Sequence, residues 1–415
     1  MRLLLVPLLS FLALRASASD TVSWVPANLP PLPSGANVGL GAYLKPEEGR
    51  AVLDAALARF PDQAAWTAYA DHVRQRIQEG AGLSPWPRRT PLNPVSGARR
   101  VYAGYTVENV CFESVPGYWV TGNLYRPTDA KPPYAAVLST HGHARPIVVP
   151  ADYDNHARFS PDMQLRCATL ARMGAVVLSI DMFAMGDSIQ VFGQAAHRQS
   201  FAFTIQLWNA IRSVDFLLEQ ESVDPKRIGV TGASGGGTLA FMLTAVDPRI
   251  AVSVPVVMVS SYFFGGCPCE SGRPVHRSAD HFASNAMVAA LAAPRPMLVV
   301  SDGKDWTQHN PEIEFPFLRR IYGYHDAAPN VANVHLAEEG HDYGPSKRDA
   351  LYRFAATHLD LNLAAVLGPN DKIDESRVTV EKARALHVFT ADFPIPAQAL
   401  HDPAAVERVL QELQR

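Results

Sequence analysis

The sequence has few cysteines, no excess of charge of one sign and, after its first residues, no long hydrophobic run. It has 4 cysteines in 415 residues, 19% charged residues and a formal net charge of −3. The balanced charge excludes the basic surface typical of nucleic-acid-binding proteins, and no later segment is long and apolar enough for a transmembrane helix. Because 47% of the residues are hydrophobic, disorder is excluded as well. We expect a folded protein that binds neither nucleic acid nor, once mature, a membrane.

The first 18 residues have the pattern of a secretory signal peptide. Met1 and Arg2 give a positive start, residues 3–14 are mostly apolar, and Ala16-Ser17-Ala18 matches the small residues of a cleavage site. Arg15 beside that pattern leaves the position of the cut open, and an N-terminal membrane anchor is the alternative. The apolar run is short for a span. We expect residues 1–18 to be removed and the mature protein to be secreted or periplasmic.

Hydrophobic periodicity divides the rest of the chain into three parts. Residues 19–95 begin with prolines and continue with two amphipathic helical patterns, which predict a helical segment that wraps the next part. In residues 96–362, two alternating strands joined by a Pro-Gly turn precede apolar strands that alternate with helices. This rhythm predicts an α/β fold, with a mostly parallel twisted sheet covered by helices on both faces. Residues 363–415 are predicted to be a C-terminal tail packed on that domain.

A glycine-rich stretch, GVTGASGGGT at residues 229–238, lies between a predicted strand and a predicted helix. Gly232-Ala233-Ser234-Gly235-Gly236 matches the nucleophile-elbow pattern G-x-S-x-G in that setting. The turn is so tight that the residues two positions from the serine must have almost no side chain. A phosphate-binding loop is excluded, because the stretch has no lysine and its glycine spacing is different. We therefore predict that Ser234 is a nucleophile.

A nucleophilic serine needs a base, and the base needs a carboxylate that orients it. His341 follows the last predicted strand, and it is the predicted base. Two aspartates follow the preceding strand, in the segment SDGKDW. Asp305 lies further along that loop and is the predicted acid. Asp302 is the alternative acid, although its place near the strand also suits a residue that shapes the turn.

Backbone amides near Ser234 are predicted to stabilise the negative charge that develops on the substrate. One donor is the amide of Gly235, and the second is the amide of His143 in the loop after an earlier strand. Trp306 either stacks on a sugar ring or packs its own loop. The residues predicted to bind the substrate are His141, Arg145, Lys304 and Trp306.

The sequence predicts no metal site. The pair His141 and His143 is one alternative, with Asp181 and His341 as further ligands, but it would leave the Ser234 motif without a purpose. The pair Cys267 and Cys269 lacks the additional spaced ligands of a zinc site. The cysteines are expected to be buried, or paired in up to two disulfides with three connectivities: Cys111, Cys167, Cys267 and Cys269. No cofactor is predicted.

With serine, acid and histidine in this order after successive strands, the chain resembles the α/β-hydrolase superfamily. Within it, the chain is most similar to secreted acetyl-xylan-esterase-like and dienelactone-hydrolase-like carbohydrate esterases. The resemblance implies a serine esterase that forms an acyl-enzyme and removes acetyl groups from plant-type polysaccharides or oligosaccharides, with uronate methylesterase as the alternative. The segments that carry it are VTGNLYRP (120–127), THG (140–142), VDPKRI (223–228), GASGG (232–236), APRPM (293–297) and Gly340-His341.

Some features depart from the pattern of these relatives. Glucuronoyl esterases often have an arginine directly after the nucleophile, and Gly235 in that place argues against that branch. The loop at residues 181–188 is more apolar than its counterpart in related enzymes. A prolyl-oligopeptidase-like peptidase would need a propeller domain, for which the N-terminal part is too short. A hydrolase fold used only for binding would usually lack a triad member. No oligomeric state is predicted.

Overall fold

The fold is described from a computed structural model, which covers residues 22–27, 29, 41–42, 44–143 and 155–415. The predicted signal peptide and Arg145 lie outside these residues. The strands of the described part are β1 (Gly41–Ala42), β2 (Val95–Ser96), β3 (Arg100–Tyr102), β4 (Tyr105–Val115), β5 (Tyr118–Pro127), β6 (Tyr134–Thr140), β7 (Ala175–Ile180), β8 (Val223–Ala233), β9 (Val252–Val256), β10 (Phe263–Gly265), β11 (Met297–Asp302) and β12 (Val331–Leu336).

The helices between and around these strands cover both faces of the sheet. They are α1 (Pro46–Arg59), α2 (Gln63–Gly80), α3 (Pro161–Arg172), α4 (Ser188–Phe192), α5 (Phe201–Leu218), α6 (Gly235–Val246), α7 (Pro268–Ser271), α8 (Asn285–Ala289), α9 (Glu314–Gly323), α10 (Pro345–His358), α11 (Ala383–Leu386) and α12 (Pro403–Leu413).

The main sheet has the strand order β12-β11-β9-β8-β6-β7-β5-β4-β2, with β3 also paired to β4. The pairs among β6, β7, β8, β9, β11 and β12 are parallel. The pairs of β5 with β7 and with β4 are antiparallel, and the predicted Pro-Gly turn joins β4 to β5. The predicted α/β fold with a mostly parallel sheet is confirmed. The carboxyl ends of the parallel strands therefore meet at one edge, where such sheets bind ligands.

Strand β7 shows why both faces of the sheet are buried. Its sequence AVVLSI is apolar at nearly every position, and successive side chains point to opposite faces. Val176 and Leu178 join the core beneath α5 and α6. Ala175 and Val177 join a second core beneath α3 and α10. A strand with two apolar faces is stable only when helices cover both of them.

The terminal segments pack on this sheet domain. Tyr69 of α2 is buried, and its hydroxyl donates a hydrogen bond of 2.6 Å to the carbonyl oxygen of Phe282. In the C-terminal part, Glu381 accepts a bond of 2.6 Å from Arg100 of β3. Among the residues that the structure describes, no helix combines the length and the apolar character needed to cross a membrane.

Candidate active site

Ser234 lies in the turn between β8 and α6. Its backbone has φ 57° and ψ −125°, a strained conformation that costs about 1–3 kcal/mol in a residue other than glycine. A Cβ atom on Gly232 would lie 2.5 Å from the carbonyl oxygen of Gly236, and one on Gly236 would lie 2.8 Å from that of Thr140. Both positions therefore require glycine. The turn holds the serine side chain at the carboxyl end of β8.

His341 and Asp305 meet above the ends of β12 and β11. His341 Nδ1 lies 2.7 Å from Asp305 Oδ2. Asp305 Oδ1 accepts hydrogen bonds of 2.6 Å from both the amide and the hydroxyl of Thr307. The side chain of Asp305 is 3% exposed and that of His341 is 24% exposed. The carboxylate is thus fixed in place, and the imidazole that it orients remains open to a ligand.

Asp302, the alternative acid, has other partners. Its Oδ1 accepts a hydrogen bond of 3.1 Å from the amide of Lys304, and its Oδ2 lies 3.4 Å from Lys347 Nζ. Burial, and then the nearby charge of Asp305, raise the pKa of Asp302. These contacts shape the turn and bind the lysine. The geometry therefore favours Asp305 over Asp302 as the partner of His341.

Ser234 and His341 line the same cavity, which has a volume of about 330 Å³. Gly142, in the loop after β6, packs directly on the serine, because a Cβ atom built on Gly142 would lie 2.8 Å from Ser234 Cβ. His143 follows in the same wall. Gly235 opens helix α6, whose N-terminus favours negative charge. The arrangement is compatible with the predicted amide donors, Gly235 and His143, whose roles stay predictions.

His141 lines the cavity, and both of its ring nitrogens contact the backbone. Its Nε2 accepts a hydrogen bond of 3.0 Å from the amide of Met182, and its Nδ1 lies 2.9 Å from the carbonyl oxygen of Gly142. Burial lowers the pKa of His141 to about 3, so the ring is neutral. Both ring nitrogens are therefore used by the backbone, and neither is left for a substrate or for a metal shared with His143.

Two further predicted contacts lie off the cavity. Trp306 stacks on Phe263 with ring centroids 3.9 Å apart and an interplanar angle of 16°. Its ring is also tilted against that of His341 at 4.6 Å. Neither Trp306 nor Lys304, which is exposed, is among the described residues that line the cavity. These contacts favour the interpretation that Trp306 packs its own loop. Lys304 has no contact with the cavity.

Arg166 lines the cavity, and the sequence patterns do not single it out. It is buried on α3, where its Nε donates a bond of 2.9 Å to Ser139 Oγ and its Nη2 one of 3.2 Å to the carbonyl oxygen of Thr140. Its guanidinium lies over the ring of Tyr343 at 4.1 Å. No carboxylate of the described residues forms an ion pair with it. The only sequence signal was an arginine within the apolar face of a helix.

The apolar loop after β7 supports the other wall of the site. Met182, Phe183 and Met185 are buried, so this loop belongs to the core. Asp181 lies 3.0 Å from Arg158 Nε, and burial raises the pKa of this aspartate to about 6. The apolar residues of this loop therefore serve packing, and a buried ion pair holds its start.

Comparison with known proteins finds similarity to esterases and hydrolases. The family model described as "Glucuronyl esterase, fungi" matches residues 185–268, which include Ser234. This match counts against the expectation, drawn from Gly235, that the glucuronoyl esterase branch is excluded. A Cβ atom on Gly235 would lie 3.0 Å from Glu270 Oε1 and 3.4 Å from His143 Cε1. In this chain, other side chains thus occupy the space beside the nucleophile.

Two curated relatives match smaller parts of the chain. YtaP of Bacillus subtilis (strain 168), named as a hydrolase, is 27% identical over 154 residues, which are 34% of this chain and 48% of the relative. The 4-O-methyl-glucuronoyl methylesterase of Neurospora crassa is 23% identical over 218 residues, 45% of this chain and 50% of the relative. The chain thus spans about half the length of these curated relatives.

The solved structure of the methylesterase BT1017 matches nearly the whole chain. It is 39% identical in sequence, with a TM-score of 0.79, and the match covers 90% of this chain and 82% of that one. Proteins with this level of sequence identity over most of both chains share a fold. In this chain, the fold places Ser234 in a strand-to-helix turn. The chain therefore belongs to the α/β-hydrolase carbohydrate esterases, in the family of the methylesterase BT1017.

Proposed function

We propose that the chain is a serine carboxylic-ester hydrolase that acts on ester groups of plant-type polysaccharides. The observation that carries this proposal is the position of Ser234, which lies in a strained turn and shares a cavity with His341, itself bonded to Asp305. Nucleophile, base and orienting acid follow three strands whose carboxyl ends meet at one edge. Such a set supports acyl transfer.

The proposed reaction has two steps. Ser234 Oγ attacks the ester carbon while His341 Nε2 takes the serine proton, and Asp305 stays ionised and accepts the hydrogen bond from Nδ1–H that orients the ring. The alcohol leaves with the proton held by His341, so that an acyl-enzyme remains. Water then attacks the acyl carbon, His341 accepts its proton and returns it to Ser234, and the acid is released. The amides of Gly235 and His143 stabilise the oxyanion in both steps.

The substrate that we propose is a methyl-esterified uronate within a polysaccharide. Arg166 supports this choice, because it brings a positive charge without a carboxylate partner among the described residues to the wall of the cavity. Polymers of uronates carry free carboxylates next to the ester, and an arginine binds carboxylates well. Two of the similar proteins are named methylesterases, which supports the same choice. Acetylated polysaccharide, which the sequence placed first, becomes the second candidate.

The N-terminal sequence supports an enzyme that meets its polymer outside the cytoplasm. Met1 and Arg2, the apolar run and the small residues that end at Ala18 are the parts of an export signal. Polysaccharides of plant cell walls are extracellular. We therefore include secretion or transfer to the periplasm in the proposal.

Product release separates the candidates. The purified protein is incubated with methyl-esterified pectin, a methyl glucuronate ester and acetylated xylan, and methanol and acetate are measured. Methanol release above that of Ser234→Ala is expected. If acetate is the dominant product, the enzyme is an acetylesterase and the proposal of a methylesterase is wrong. The absence of both products, with no hydrolysis of p-nitrophenyl acetate, would overturn the esterase proposal itself.

A further inference from the structure

Three separate segments bring two histidines and two cysteines together beside Ser234. His143 lies in the loop after β6, His197 in a 3₁₀ helix at Gln194–Arg198, and Cys267 and Cys269 at the start of α7. Their four potential ligand atoms all lie within 4.8 Å of one another. His197 and both cysteines are buried. The sequence suggested that the two cysteines lack partner ligands, and the fold supplies them.

The distances between these atoms are close to those of ligands in tetrahedral coordination around a metal ion. His143 Nε2 lies 2.9 Å from His197 Nε2 and 3.3 Å from Cys269 Sγ. Bonds of about 2.0–2.1 Å from zinc to nitrogen and about 2.3 Å to sulfur place neighbouring ligand atoms about 3.3–3.8 Å apart. An outward movement of a few tenths of an ångström would therefore admit an ion at the centre.

The second ring nitrogen of each histidine makes a contact that leaves Nε2 free to bind a cation. His197 Nδ1 lies 2.6 Å from the carbonyl oxygen of Phe183, which only accepts, so Nδ1 carries a proton. His143 Nδ1 faces Glu270 Oε1 at 3.5 Å. A neutral His143 ring with its proton on Nδ1 directs its Nε2 lone pair toward that of His197, 2.9 Å away. Metal-binding histidines typically donate their other N–H to a carbonyl or a carboxylate in this way.

The cysteines are equally suited to this role. All four cysteines of the chain lie in the described part, are buried, and form no disulfide there. A thiolate is the form of cysteine that binds metals.

We propose that His143, His197, Cys267 and Cys269 bind one Zn²⁺ ion. Two thiolates and two imidazoles in a tetrahedron are a donor set that zinc prefers. Because the protein supplies all four ligands, the site is closed and structural, and no water is activated on the ion. The site differs from the pair of His141 and His143 considered from the sequence, since His141 is bonded to the backbone.

The ion would tie three loops together next to the reaction centre. His143 is both a ligand and the predicted second amide donor, and its neighbour Gly142 packs on Ser234. Gly235 faces the His143 ring and Glu270. Removal of the ion is therefore expected to loosen the amide of His143 and to lower turnover. This consequence rests on the proposed esterase function, whereas binding of the ion does not.

The metal content of the full chain tests the proposal. Untagged protein purified without chelators is analysed by inductively coupled plasma mass spectrometry, and about one zinc per chain is expected. Cys267→Ser and Cys269→Ser should each lose most of the zinc. Cys167→Ser, which alters a buried cysteine outside the cluster, is the matched control and should keep it.

Reconstitution with Co²⁺ gives a readout that needs no variant. Protein freed of metal and then loaded with Co²⁺ should show the thiolate charge-transfer bands and the intense d–d bands of tetrahedral cobalt. The proposal is overturned if protein incubated with Zn²⁺ and dialysed retains no stoichiometric zinc. It is equally overturned if metal-free protein from an oxidising compartment proves to hold a Cys267–Cys269 disulfide. Neither outcome depends on esterase activity, so they leave the proposed function to its own test.

Discussion

Nδ1 of His341 lies 2.7 Å from Oδ2 of Asp305, whereas Asp302, three residues earlier, contacts Lys347. We expect Asp305→Asn to lower kcat by about 10⁴-fold, because an amide in this place favours the wrong tautomer of the histidine. Steady-state kinetics with p-nitrophenyl acetate measure the loss, and the circular dichroism spectrum checks that the variant is folded.

Asp302→Asn is the matched comparison. It removes the charge beside Lys347 and keeps the shape of the side chain. We expect Asp302→Asn to lower the thermal midpoint of unfolding and to leave kcat nearly unchanged. An enzyme crippled by Asp302→Asn and little affected by Asp305→Asn would show that the acid has been assigned to the wrong aspartate.

Arg166 should distinguish charged from neutral substrates. In Arg166→Lys the charge remains but the paired donors of the guanidinium are lost, and in Arg166→Met the charge is lost as well. Hydrogen bonds to charged groups contribute about 1.5–3 kcal/mol. We therefore expect KM for methyl-esterified pectin to rise about tenfold or more in Arg166→Met, and less in Arg166→Lys. KM for p-nitrophenyl acetate is the internal control, and an equal rise for both substrates would contradict a role in carboxylate binding.

Acid should destabilise the protein through buried histidines that do not line the cavity of Ser234. Burial lowers the pKa of His276 to about 4 and that of His281 to about 3, against about 6.5 in the unfolded chain. The unfolded state therefore binds more protons, and the stability present above pH 6.5 is lost as the pH falls toward 4. Each histidine contributes a slope of up to about 1.4 kcal/mol per pH unit in this window.

Urea unfolding at pH 7, 6 and 5 measures this dependence. The free energy of unfolding should fall with pH, and His276→Phe should flatten the slope, even if the substitution also changes stability at pH 7. A slope between pH 7 and 5 that is unchanged in this variant would show that His276 is not held neutral in the folded protein.

Much of the fold could be predicted because its signals are local. The short apolar run AVVLSI between two helical patterns predicts a strand, and it forms β7 (Ala175–Ile180). The turn at Ser234 was predicted because steric crowding imposes glycine at fixed positions around it. Local sequence is therefore sufficient to specify the apolar strands and the turn at the serine.

The rest of the site depends on contacts that the sequence does not reveal. His143 and Cys269 are 126 positions apart, and their contact arises only when the loops after β6 and around α7 fold over the same strand end. His141 has the same residue type and nearly the same position as His143, yet its ring nitrogens bond to the backbone. Burial and hydrogen bonding, which are set by the tertiary structure, separate these two histidines.

The most direct measurement is the location of a covalent adduct. The folded protein is treated with a fluorophosphonate, which reacts with serines activated by a neighbouring base, and the adduct is mapped by peptide mass spectrometry. A single adduct on Ser234 is expected, with greatly slowed labelling in His341→Ala and normal labelling in Ser301→Ala, a buried serine elsewhere in the sheet. An adduct on another residue, or no adduct on folded protein, would contradict a catalytic role for Ser234.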